Sequence, residues 1–381
     1  MSAPSSTRPG PASACRQQGP SGAAAGQVAP DGSTPGPVEV ARRGLAASRR
    51  RRLRRRAVVT VALAAVALTL SALALMLGDF RLSVGQVVGA LVGSDDDLAA
   101  RFVVVDLRAP RLVLGVLVGL AFGLAGALFQ SVLRNPLASP DVIGISQGAS
   151  AGAVAALLLG GATGAAVSAS ALVGGALVGL LLYAVAWRQG MTGHRFVLAG
   201  IGVAYVCSSV VGYLLTRSEV NEAQAALLWM TGSLAQATWG LVVTLGVALA
   251  VLVPLVVLVA RGLDLLLLGD EQAAGLGIRP EVVRALVIAL GVALACVATA
   301  AAGPVAFVAF TAAPVARRLL GDGSLALLQA ALVGVVLVVG ADVVAQHLLP
   351  ADLAVPVGVV TGAVGGPYLI WLMASGRTRT A

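Results

Sequence analysis

Ten runs of mostly apolar residues, each close to the length of a membrane-crossing helix, constrain this chain more than any motif. A bilayer core of about 30 Å needs roughly 20 residues of helix. The runs lie at 57–78, 111–131, 141–160, 163–187, 196–216, 238–260, 282–302, 304–320, 325–347 and 355–374. Ser146 and Gln147 interrupt the third, and the eighth is short. Only 11% of the 381 residues are charged, against about 25% in soluble domains, so a water-facing surface could not be covered. Lipid offers the backbone no hydrogen-bond partner, and helices satisfy their own. The expected fold is an all-α polytopic membrane protein with about ten transmembrane helices.

The charges give the orientation. All 26 basic residues are Arg. With the N-terminus inside, 21 fall on the inner side and 5 on the outer: Arg81, Arg101, Arg108, Arg111 and Arg217. Without the N-terminal tail the ratio is still 10 to 5. This follows the positive-inside rule and predicts a multi-pass protein of the cell inner (plasma) membrane with both termini cytoplasmic. The absence of Lys excludes a P-loop lysine and Schiff-base chemistry. Two His and three scattered Cys suggest no metal centre, disulfide framework or redox pair. No catalytic residue, metal or cofactor is expected.

Three regions follow: a basic, disordered cytoplasmic tail over 1–56, a membrane domain over 57–375, and a short cytoplasmic tail over 376–381. The first 40 residues hold 7 of the 17 prolines and no apolar run to offset ordering entropy. The block Arg42, Arg43, Arg49 to Arg52 and Arg54 to Arg56 precedes the first span at once. It reads as a positive-inside anchor for the first helix in membrane lipid, not as a binding site for nucleic acid or anionic lipid. Between the first two spans, 79–110 contains an amphipathic stretch, Leu82 to Val92, and an acidic run, Asp95 to Asp97. Gly115, Gly119 and Gly123 share a face of the second span and suit close helix packing. Asp342 is the one carboxylate well inside a span, and ionisable residues there are functional candidates by default. A structural hydrogen-bonding or capping role is favoured, because only His347 is near enough to serve a proton relay.

The turn after the second span carries a denser signal. Leu133-Arg134-Asn135-Pro136-Leu137-Ala138-Ser139-Pro140-Asp141-Val142-Ile143-Gly144 places two prolines four apart beside Asn and Gly. It resembles the signature of iron–siderophore and vitamin B12 ABC importer permeases, the FecCD-like family, with Arg134, Asn135, Pro136, Pro140 and Gly144 on the signature positions. Other blocks agree in order: Arg108-Ala109-Pro110-Arg111, Leu198 to Ile201, Trp229 to Ser233, Leu268 to Gly277, Ala341-Asp342, Pro356 to Thr361 and Gly365 to Pro367. The resemblance covers about residues 57–375. Departures are Ala313-Pro314-Val315-Ala316-Arg317-Arg318, which lacks the family's His or Gln, Gln346 where Arg is expected, and Ala354 where an acid is expected.

The resemblance implies an ABC importer permease of type II fold, one half of a heterodimeric or homodimeric pair for ferric siderophore. It also implies two cytoplasmic ATPase subunits, an extracytoplasmic siderophore-binding protein, and no enzymatic activity in this chain. Arg108 and Arg111 would meet the binding protein. The inner loop with Leu268, Gly269, Asp270, Glu271, Ala273, Leu276 and Gly277 would couple to the ATPase. A short helix there is signalled by Asp270 and Glu271 at its start and by Gly275 and Gly277 at its end. Alternatives are the same machine carrying vitamin B12 or haem, a proton-coupled transporter using Asp342 and His347, and a membrane scaffold.

Overall fold

The computed structural model describes residues 37–78, 80–93, 97–189, 193–349 and 355–375. Two units divide at Arg51 and Arg52. In the first, the described residues are helical from Pro37 onward. The sequence reading left 37–56 without structure, and the tail before Pro37 lies outside the described residues. The helix has a plain physical origin: Pro37 is tolerated at the first helical position, and the Ala and Arg that follow are strong helix formers.

Among its described residues the second unit has helices joined by turns, and no strand. Its elements run from α1 (Pro37–Met76, which begins in the first unit) through α2 (Val84–Val92), α3 (Leu98–Arg101), a π-helical run (Phe102–Arg108) and α4 (Ala109–Val132). Then come α5 (Ile145–Gly160), α6 (Ala165–Gln189), α7 (Gly193–Arg217), α8 (Val220–Met230) and α9 (Trp239–Leu266). The last are α10 (Asp270–Gly275), α11 (Pro280–Ala302), α12 (Val308–Leu320), α13 (Leu327–His347) and α14 (Val357–Ser375). Each of the ten expected spans coincides with one of these helices. Seven are long and apolar enough to cross a membrane, whereas α5 and the apolar part of α14 are shorter. The 13 residues of α12 reach only about 20 Å at 1.5 Å per residue.

Three elements were not expected, the short α3 among them. α8 fills part of the connection between the fifth and sixth spans, with Glu222 in its first turn. The π-helical run joins α3 to α4 and shifts the helical phase just before Arg111, its wider turns visible where the Ala109 amide bonds to the Val104 carbonyl. The amphipathic stretch does form a helix: α2 carries a Ser83–Gln86 capping box and buries Val87 and Ala90. Asp97 caps α3 by accepting the Ala99 and Ala100 amides, while Asp95 and Asp96 lie outside the described residues.

α4 is the centre of the packing, in contact with α9, α11, α12 and α13. Phe122 and Phe129 on it are fully buried. The glycine stripe explains how a helix can have so many neighbours. A methyl group at Gly119 would lie 2.6 Å from the Gly334 carbonyl oxygen of α13, nearer than any real side chain allows. Backbones that touch in this way gain dispersion contacts along their length, the main attraction between helices when lipid is as apolar as leucine. The opposite case is α9, whose exposed Val243, Val247, Val251 and Leu258 form an apolar face suited to lipid.

At the inner end of α1, Arg56 pairs with Asp322 at 2.6 Å, and Arg55 donates to the Leu319 carbonyl at 3.1 Å. These bonds hold α1 to the α12–α13 turn. The packing gives a sharp contrast between two glycines. Gly119→Val should separate α4 from α13 and destabilise by about 1–3 kcal/mol or more. Gly246→Ala, whose new methyl group meets only a Leu117 methyl at 3.9 Å, should be neutral. The melting midpoint of the detergent-purified protein checks both, and equal midpoints would contradict the seam.

Candidate functional site

Two polar nodes sit at opposite ends of α4. At the end that the arginine bias assigns outside, a cavity of about 400 Å³ is lined by Arg108, Arg111, Asp342, Gln346 and His347. Arg108 and Arg111 therefore do share a site, but they turn to different partners. Arg108 donates to the Leu75 and Phe80 carbonyls, both at 2.7 Å. The Arg111 guanidinium grips Asp342 through Nε at 3.1–3.2 Å and Nη2 at 2.8 Å. Gln346 donates to the same carboxylate at 2.6 Å.

Asp342 is 7% exposed in its side chain and Arg111 26%. A carboxylate this far from water needs a charge-matched partner, and the two-pronged guanidinium supplies one. The family-expected Arg at 346 is a Gln in this chain. It adds a hydrogen bond to Asp342 without a second positive charge.

The inner node is built on the signature turn. Arg134 takes φ 49°, the left-handed conformation that ends α4, and the Asn135 amide returns to the Gln130 carbonyl at 3.2 Å. Asn135 Oδ1 accepts the Leu137 amide at 2.9 Å, which tightens the turn around Pro136. Pro140 accepts the Ile145 amide at 3.1 Å and so closes the chain onto α5. Gly144 has φ 88°, and a methyl group on it would come 2.9 Å from the Gly200 carbonyl; no other residue meets both conditions.

From this turn Arg134 reaches across to the inner loop. Its Nη2 donates to the Leu266 carbonyl at 2.6 Å and lies 3.4 Å from Asp270. Arg284 holds both oxygens of Asp270 at 2.6 Å. The short helix α10 begins at Asp270, with Gly269 (φ 114°) before it and Gly277 (φ 83°) after it. Ala273 is the buried residue of this helix, whereas Leu268 and Leu276 on either side of it are 56% and 61% exposed. Glu271 follows Asp270 in the first turn. The geometry thus gathers the expected loop residues around one ion-paired corner and leaves two leucines uncovered.

Sequence reasoning passed over Arg317. It donates to Ser131 Oγ at 2.8 Å and to the Ala127 carbonyl at 3.3 Å, tying α12 to the last turn of α4. Gln130 reinforces the contact by donating to the Phe310 carbonyl at 2.9 Å. A guanidinium this close to the C-terminal end of α4 also lies near the negative end of that helix's dipole. The Arg317-Arg318 pair at the end of a span was the available signal, read only as charge and as part of a departure from the family pattern. Arg318 stacks on Trp371 at 4.2 Å.

Comparison with known proteins agrees with these features. The FecCD transport family matches residues 63–375. The chain is 39% identical to the ferric enterobactin transport system permease protein FepG of Escherichia coli K12, over 78% of this chain and 89% of that protein. It is 34% identical to the Fe(3+)-citrate import system permease protein YfmE of Bacillus subtilis, over 85% of this chain and 96% of that protein. A metal-chelate type ABC transporter solved in an inward-facing conformation shares the fold, with a TM-score of 0.73 at 23% identity, over 83% of this chain and 99% of that one. The signature turn, the helix order and these likenesses converge, and the chain belongs to the FecCD transport family of multi-span permeases.

Proposed function

We propose that this chain is one of two permease subunits of an ATP-driven importer that carries ferric siderophore into the cytoplasm. Two cytoplasmic ATPases would power it, and an extracytoplasmic binding protein would deliver the cargo. The supporting observation is the inner corner: exposed Leu268 and Leu276 flank a short helix whose first residue is ion-paired to Arg284 and to the signature-turn Arg134. Exposed leucines beside a fixed helix are what a partner surface needs, and the arginine bridge would carry a push on α10 into the α4–α5 turn. The permeases YfmE and YfmD of the Bacillus subtilis Fe(3+)-citrate import system are 34% and 32% identical to this chain, which favours a partner permease of the same kind. A hemin permease of Yersinia pestis is 35% identical over 54% of this chain, so haem is the second cargo reading.

A proton-coupled transporter is disfavoured by the outer node. Both oxygens of Asp342 are engaged by Arg111 and Gln346, which suits a fixed carboxylate more than one that must gain and lose a proton. The same pairing bears on docking. Arg108 and Arg111 are proposed to meet acidic groups of the binding protein across the rim of the outer cavity, with Arg111 also fixing α13.

Two substitutions test this reading. Leu276→Glu places a charge on the proposed ATPase contact, and it should abolish uptake of radiolabelled ferric siderophore and the co-purified ATPase while the permease still inserts. Unchanged uptake and co-purification would refute the contact. Arg111→Met strands Asp342, an effect of about 3–5 kcal/mol for a fully buried pair and less here, because Arg111 is 26% exposed. The double variant Arg111→Met, Asp342→Leu should recover most of the lost melting temperature. Single and double variants that melt alike would show that the pair is not a structural tie.

A further inference from the structure

Most exposed faces of the long spans are apolar, as lipid requires, but one face of α7 is not. Tyr205, Ser209 and Tyr213 recur four residues apart, and Gly202, Gly212 and Thr216 fall on the same side of the helix. Tyr205 is 73% exposed and Tyr213 61%. Gly202 and Gly212 face open space. Between the rings a concavity of about 440 Å³ is lined by Tyr205, Val206, Ser209, Val210 and Tyr213.

Tyr205 stands midway along α7, which runs from Gly193 to Arg217, so either helix end is about 18 Å away. No tyrosine hydroxyl reaches the interface from that depth, where tyrosines normally sit. Facing lipid, it would be a polar group with no partner. The face must look onto protein or onto a wetted path.

Two features separate these options. Where helices of this protein touch, small residues bring backbones together, as at Gly119 and Gly334. An unused face of that kind exists on α14, where Gly362 and Gly366 are four apart and meet nothing; it suits a helix of a second subunit. The α7 face is the reverse: large rings project beside gaps, and the backbone is held back. At its outer end the Arg217 guanidinium lies 5.6 Å from the Tyr213 ring centroid. A cation at the entrance, followed by two exposed rings, suits an anionic ligand that itself carries aromatic rings.

We infer that Tyr205 and Tyr213 line the translocation path and select aryl-bearing iron chelates, of the catecholate or phenolate class, by ring stacking and donation from the tyrosine hydroxyls, with Ser209 between them holding its own hydroxyl on the Tyr205 carbonyl at 2.9 Å. The inference rests on the import function proposed above. Stacked aromatic pairs contribute enough beyond area burial to alter rates about three- to tenfold each.

The test uses the full transporter in cells lacking other chelate importers, with radiolabelled iron supplied as a tris-catecholate, a tris-hydroxamate or citrate. Tyr205→Leu and Tyr213→Leu should each lower the maximal rate for the tris-catecholate about three- to tenfold, with the other two chelates changed less than about twofold and co-purification of the second permease unchanged. Tyr205→Phe, which keeps the ring, should retain most of the rate. Equal loss for all chelates, loss of the second permease, or no change with any chelate would overturn the assignment. A wild-type transporter that imports no iron chelate would instead refute the proposed function, and this inference with it.

Discussion

The approach of α4 to α13 at backbone distance is the contact on which the rest of the structure depends. Gly119 meets Gly334, and Gly123 meets Ala330, so neither helix can carry larger side chains along that line. In water such a seam would compete with the burial of larger apolar groups. In lipid, burial of apolar surface offers no gain, and close dispersion contact decides which helices pair. Because α4 is held tightly by α13 and also packs on α9, α11 and α12, its two ends are fixed relative to one another. Its outer end presents Arg111 to Asp342. Its inner end presents Gln130 and Ser131 to α12 and feeds the turn that places Arg134 beside Asp270. One helix thus joins the Arg111–Asp342 cavity to the Arg134–Asp270 corner, so that a displacement at one end of the bundle can reach the other.

Much of this was legible in the sequence, for physical reasons that mark where the reading stops. Apolar runs of bilayer length disclose spans because the solvent imposes the length, and the ten helices fall where the runs do. The Gly115, Gly119 and Gly123 spacing disclosed the seam because a small-residue stripe has little other use. The turn at 133–144 was legible from Pro and Gly positions that backbone conformation demands, as Gly144 with φ 88° illustrates.

Tertiary pairing was not legible. Arg111 and Asp342 are 231 residues apart, and no local pattern says that this arginine will close on that carboxylate. Arg317 shows the same gap, since a charge at the inner end of a span looks alike whether it meets lipid phosphate or the carbonyls of a neighbouring helix. α8 was missed because a short helix in an outer connection needs neither bilayer length nor strong amphipathicity. The helix over 37–56 was hidden by the prolines that precede it, although after Pro37 the Ala and Arg residues outweigh the single glycine, Gly44.

The central claim is that this permease moves an iron chelate inward on energy supplied through its inner corner, and not on a gradient taken up by its own carboxylate. Reconstitution of the permease pair with its ATPase and binding protein in sealed liposomes tests that most directly, with radiolabelled ferric siderophore offered on the binding-protein side. The account predicts accumulation that requires ATP on the ATPase side and persists when a protonophore collapses any proton gradient. Accumulation driven by an imposed proton gradient without ATP would contradict it.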